Sequence, residues 1–172
     1  MEIVTFEEQP QDMSIGNYGV PANLDIEPGD RRISRDILFT SAVTECIALI
    51  AHNENSQFGL MAHMSSPATR DRDVFESSLQ DLGQIGSPDT TQLYLIGGAP
   101  EAKKGLGQVQ EDRDFTQMRA AAYLAELNLP RELLTTNWTE DRTAVDLTLD
   151  CFNGDLVIIR YPASDGNEDY GI

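Results

Sequence analysis

The chain has 172 residues, 40% of them hydrophobic, which suits one domain with a sizeable core and excludes a wholly disordered chain. It carries 12 basic against 29 acidic residues, a net charge of −17, and no apolar run long enough to cross a bilayer. Such a balance repels phosphate backbones and anionic lipid, which argues against nucleic-acid binding and membrane insertion.

Residues 1–30 contain seven acids and no base, and 162–172 contain three acids and no base. Both ends read as solvated acidic segments: an N-terminal arm over 1–30, a domain over 31–161 and a C-terminal tail over 162–172. The start has neither a basic n-region nor an apolar h-region, so the expected setting is cytoplasmic, with leaderless delivery into another cell giving the same pattern.

In chain order, 36–50 is largely apolar or β-branched, and its second half suits a buried strand. Asn53-Glu54-Asn55-Ser56 is a turn cluster, and 57–64 is a second short apolar run closed by Ser65-Ser66-Pro67. Phe75, Leu79 and Leu82 fall at helical spacing, with Gly83 fitting a C-terminal cap. Residues 91–96 form a strand running into Gly97-Gly98-Ala99-Pro100, followed by a solvated loop with Lys103 and Lys104. Phe115, Met118, Ala122, Ala125 and Leu129 then make an apolar stripe closed by Pro130. Val145, Leu147 and Leu149 alternate with polar residues, a half-buried strand. Asn153-Gly154 turns the chain into a return strand over 156–161. The order predicts an α+β single domain, with mixed or antiparallel sheets packed against two main helices.

The hairpin around 53–56 places chemistry. With its turn centred between Glu54 and Asn55, Cys46 directly faces His63, close enough for thiol and imidazole to share a proton. A one-residue slip would set them on opposite faces. Thr40 lies six residues before Cys46, on the same face if the stretch is unbroken. The thiolate is the nucleophile, so an adjacent imidazole is what such a cysteine needs. His52 reads as a loop residue, Cys151 as packing, and Trp138 as core or surface. The two cysteines and two histidines lack metal-ligand spacing, so no metal site is expected from them.

The stretch FTSAVTECIALIAHNENSQFGLMAHMSSP, residues 39–67, resembles the signature of the CheD family of chemoreceptor glutamine deamidases. That signature has a threonine, a cysteine six residues on, and a histidine seventeen residues further within Gly-x-Met-x-His. Thr40, Cys46, His63 and the run Gly59-Leu60-Met61-Ala62-His63 keep these spacings, and Gly97-Gly98-Ala99 is similar to the family's glycine-rich turn. Thr44-Glu45 stands where the family has Gly-Ser, which puts a carboxylate beside the cysteine. The resemblance implies a CheD-like fold, shared with toxins of the cytotoxic necrotizing factor type. It implies Cys46 as nucleophile, His63 as base and Thr40 as the residue orienting His63; Thr44, Glu45 and Ser65, which depart from the family's pattern beside these residues, are the expected substrate contacts. The implied reaction converts a protein-bound glutamine to glutamate with release of ammonia, and requires no metal or organic cofactor. The partners implied are a protein carrying that glutamine, a chemoreceptor or another, and a regulatory protein. The same cysteine and histidine would also serve a transglutaminase or protease, and the altered Thr44-Glu45 would suit a binding module that has lost activity.

Overall fold

The computed structural model describes residues 3–6, 25–99, 106–139 and 143–163. The β-branched and apolar runs form strands β1 (Ile3–Phe6), β2 (Arg31–Ser34), β3 (Ile37–Val43), β4 (Ile47–Asn53), β5 (Phe58–Met64), β6 (Thr91–Gly97), β7 (Leu134–Trp138), β8 (Thr143–Asp150) and β9 (Asp155–Pro162). Helices α1 (Arg72–Ile85) and α2 (Leu106–Glu126) complete the α+β fold. One sheet has the order β1-β9-β8-β3, the other β2-β5-β4-β6-β7. Both are mixed, because β1 runs parallel to β9 and β7 runs parallel to β6.

Strand periodicity splits the core in two. On β4 and β5 the side chains of Ile47, Leu49, Ala51, Leu60, Ala62 and Met64 pack against Phe75, Leu79 and Leu82 of α1 and Ala120 and Leu124 of α2. The alternate residues, Ala48, Ile50 and Met61, meet Leu38 of β3, Val145, Leu147 and Leu149 of β8, and Ile158 of β9. The layers therefore run helices, five-stranded sheet, four-stranded sheet. His63 shares the parity of Met61 and so faces the space between the sheets.

Several expectations are corrected. The β4–β5 ladder runs from Asn53–Phe58 to Ile47–Met64 and pairs His63 with Ala48, centring the turn one residue later than expected. The physical reason is a four-residue turn that ends on Gln57 at φ 57°, a conformation its side chain does not advertise. Helix α1 passes through Gly83 and stops before Gly86 (φ 150°), where a Cβ would lie 2.4 Å from the Asn53 side chain. The buried face of α2 is Val109, Asp112, Thr116, Ala120 and Leu124, whereas Met118 is 64% exposed and Ala125 is exposed. That face includes two polar residues, with Asp112 Oδ1 accepting from Ala68 N and Thr116 donating to Asp112 O, so an apolar stripe misplaces it. Strand β8 is buried on both faces, because Asp146 accepts from Ala42 N and from the Tyr161 hydroxyl.

The acidic arm is also not uniformly outside the domain. Residues 3–6 add β1 to the four-stranded sheet, and Ile26 is 1% exposed within the inter-sheet core. The expected boundary at residue 30 therefore cuts through packed chain. The expected tail begins at Pro162, the last residue of β9; 164–172, Lys103 and Lys104 lie outside the described residues.

Candidate active site

Strand β3 carries a bulge between Thr40 and Val43, with Ala42 at φ 52°. The extra residue lets Thr40 and Val43, three apart, both be fully buried. The bulge is held from two sides: Asp146 accepts from Ala42 N at 2.9 Å, while the Asp25 carboxylate accepts from Ser41 N and from the Ser41 hydroxyl at 2.6 Å. Thr40 thus does not reach the cysteine's face along one unbroken strand. It belongs to the four-stranded sheet, whereas Cys46 leads into β4 of the other, and the two face the same interlayer space from opposite sides.

The buried Thr40 hydroxyl lies 2.7 Å from Ile26 O and 2.8 Å from His63 Nδ1, which is itself 3.2 Å from Ile26 O. A carbonyl oxygen only accepts, so Thr40 donates to Ile26 O and His63 carries its proton on Nδ1. That leaves the lone pair on Nε2, which is buried and has no hydrogen-bond partner among the described residues. The backbone of His63 is fixed as well: His63 N donates to Asp30 O at 3.0 Å and Gly29 N donates to His63 O at 2.7 Å. Burial holds the imidazole below its ordinary pKa, opposed by the Ile26 carbonyl and by the charges of Asp25 and Asp71, so the neutral form prevails at neutral pH.

Cys46 sits in the bend between β3 and β4, half-buried against the inter-sheet core. Extending the ladder one step beyond Ile47–Met64 sets it opposite Ser65, and the Cys46 thiol lies 3.9 Å from Ser65 Oγ. Cys46 and His63 are therefore diagonal neighbours, two residues out of direct register but on one face, since a shift of two restores the side-chain period. Ser65 is anchored by Asp71, whose carboxylate accepts from Ser65 N at 2.6 Å and Ser66 N at 3.0 Å.

The cysteine bend is tied to the glycine turn. Gly98 N donates to Cys46 O at 2.7 Å and Ala99 N donates to Thr44 O at 2.8 Å. A Cβ on Gly97, at φ 108°, would lie 2.4 Å from Cys46 O. Arg113 of α2 closes this turn, donating to Gly98 O at 2.8 Å and Thr139 O at 2.6 Å while lying over the Trp138 ring. Trp138 is half-buried against the helix-side core. Thr44 and Glu45 are half-buried in the same bend as Cys46.

The structure thus brings Thr40, His63, Cys46 and Ser65 to one interlayer space. It adds Ile26, Asp25 and Asp71, which sequence reading missed; a backbone carbonyl leaves no sequence signal, and an acid in an acidic stretch does not stand out. His52 is corrected from loop to buried strand residue: it is 4% exposed on β4, and its Nε2 donates to Cys151 O at 2.8 Å. Cys151 is buried, with its thiol pushed up to about 12 by burial, which suits packing and not nucleophilic attack.

No family model matches the chain, and no curated protein matches it. Among solved structures it is similar to the crystal structure of Neisseria meningitidis protein NMB0706, family-model DUF152, at 15% identity and a TM-score of 0.36. The alignment covers 63% of this chain and 51% of that one, so the chain spans about half the length of that protein. A likeness at that level carries no argument about activity.

Proposed function

We propose that this chain is a cysteine-dependent protein-glutamine deamidase. The observation that carries the reading is the orientation of His63: Nδ1–H committed to Thr40 and Ile26 O, and a buried Nε2 lone pair left over on the face shared with Cys46. A neutral imidazole fixed in one tautomer is what general-base activation of a thiol requires. The spacing of Thr40, Cys46 and His63 within residues 39–67 supplies the second support, through its similarity to the CheD signature.

In this reading His63 Nε2 takes the Cys46 proton, and the thiolate adds to the carboxamide carbon of a protein-bound glutamine. The tetrahedral adduct collapses as the imidazolium protonates the departing nitrogen, releasing ammonia and leaving a thioester. Water, deprotonated by the same nitrogen, adds to the thioester; the carbonyl re-forms, the thiol regains its proton and glutamate is released. Thr40 holds the imidazole, the part an acid plays in other triads. Glu45 and Thr44, beside the nucleophile, and Ser65, across from it, are the proposed substrate contacts. The substrate is a protein, with a chemoreceptor as the finer proposal, and the setting is cytoplasmic, where both cysteines remain thiols. No helix of the described residues is long and apolar enough to cross a membrane.

The test is co-expression with candidate glutamine-bearing proteins, read by peptide mass spectrometry. Conversion of specific glutamines to glutamate, with ammonia release and no new peptide ends, supports the reading when Cys46→Ser abolishes it. Amine incorporation or chain cleavage would replace it with transglutamination or proteolysis, and no change with any partner would favour a binding module.

A further inference from the structure

The Thr40–His63 pair is anchored from a segment that begins well outside the motif. Ile26 supplies the carbonyl that accepts from both side chains, and Ile26 N donates to Phe39 O at 3.0 Å. Asp25 bridges to Phe39 in parallel, and its two carboxylate oxygens take Ser41 N at 3.2 Å and Ser41 Oγ at 2.6 Å. The 25–26 segment is thus attached to β3 on both sides of Thr40, at Phe39 and at Ser41. Neither Asp25 nor Ser41 hydrogen-bonds His63 directly.

We propose that Asp25 is a positioning residue that sets the tautomer of His63 by holding Ile26 O against the Thr40–His63 pair through its clasp on Ser41. Without the clasp the segment keeps its backbone bridge at Phe39, the buried Ile26 side chain and the bonds of Gly29 and Asp30 to the His63 backbone, but it loses its tie on the Ser41 side of Thr40, and Nδ1–H loses its fixed acceptor geometry. The N-terminal segment thereby controls whether the imidazole offers its lone pair from Nε2. The consequence for turnover rests on the deamidase reading; the tautomer does not.

The experiment uses the full chain, with Asp25→Ala, Asp25→Asn and Ser41→Ala compared singly and with the double variant D25A/S41A. Histidine ring nitrogen resonances report the tautomer, and iodoacetamide labelling of Cys46 across pH reports its effect on the thiol. His52, whose Nε2–H is held by Cys151 O, is the internal control for an intact fold. Asp25→Ala should turn His63 from one tautomer to a mixture and slow Cys46 labelling roughly tenfold, a loss in keeping with a slightly misplaced base; Ser41→Ala, which keeps Ser41 N on the Asp25 carboxylate, should do the same to a smaller extent. The double variant should be no worse than Asp25→Ala, because Ser41→Ala removes only the hydroxyl half of the clasp that Asp25→Ala removes whole. Asp25→Asn, which keeps one acceptor oxygen, should lie between. An unchanged His63 tautomer and labelling profile in Asp25→Ala, with His52 unperturbed, would overturn the proposal. If Asp25→Ala loses the His52 signature as well, Ser41→Ala decides by the same two readouts. A tautomer shift in a chain that deamidates nothing would leave the positioning role standing and remove the deamidase reading.

Discussion

Thr40 Oγ1 and His63 Nδ1 lie 2.8 Å apart although they belong to different sheets and are 23 residues apart in sequence. The contact bridges the interlayer space and both side chains are buried, so neither partner can turn to water if the other is removed. Thr40→Val keeps the volume and deletes the hydroxyl. We expect it to cost about 1–3 kcal/mol, the range for a buried polar group left short of a partner, read as a lower urea midpoint with unchanged slope. Labelling of Cys46 should slow in the same variant.

Gly97→Ala should damage the site from the far side of the cysteine bend. Its Cβ would meet Cys46 O at 2.4 Å, a backbone atom that cannot rotate away, and φ 108° is strained for alanine. The expected cost is about 1–3 kcal/mol or more. Slower Cys46 alkylation should accompany the lower melting temperature. Gly107→Ala, where a Cβ meets nothing within 4 Å, is the matched control.

His63 allows a pH prediction with a definite sign. His63 is held below its ordinary value of 6.5 chiefly by burial, so the unfolded chain binds the proton more readily than the fold does. The neutral fold is favoured above 6.5, and stability declines as pH falls below 6.5 toward the depressed value. His63→Gln should flatten this part of a melting profile taken from about pH 8 to about pH 5, the range in which histidine titrates. Glu76, lowered by its hydrogen bond from Arg119, acts in a separate window, its contribution fading as pH falls below 4.5. A slope unchanged by the His63 substitution would contradict the assignment.

The acidic arm should behave as two parts. Deleting residues 1–6 removes an edge strand that, among the described residues, pairs only with β9, and should cost roughly 1–3 kcal/mol while leaving unfolding cooperative. Deleting 1–30 also removes the buried Ile26 side chain, at about 2–5 kcal/mol for a large apolar group, together with the carbonyl that fixes His63. Thermal melts of the two truncations should therefore separate clearly.

The β4–β5 hairpin was legible because its strands are continuous apolar runs flanking a cluster of turn residues. Its register was not, since nothing in Gln57 signals a positive φ. The slip was of two residues, so Cys46 and His63 stayed on one face and the chemical grouping survived the error. Helix α2 was legible as a helix and not as a face, because Asp112 and Thr116 point into the core with partners that hydropathy does not see. His52 was misplaced by the same logic: its Nε2 is satisfied by a carbonyl 99 residues away in sequence. Ile26 ends a short alternation with Ala22 and Leu24, too brief in an acidic stretch to mark a strand, and its contribution to the site is a backbone atom.

The central claim is that Cys46, served by His63, attacks a glutamine side chain. A peptide carrying a chloroketone in place of the glutamine carboxamide tests this most directly, with the modified residue mapped by mass spectrometry. The account predicts stoichiometric modification of Cys46, slowed strongly by His63→Gln and competed by the corresponding glutamine peptide, with Cys151 untouched. Modification of Cys151 in preference to Cys46, or labelling of Cys46 at the same rate with and without His63, would contradict it.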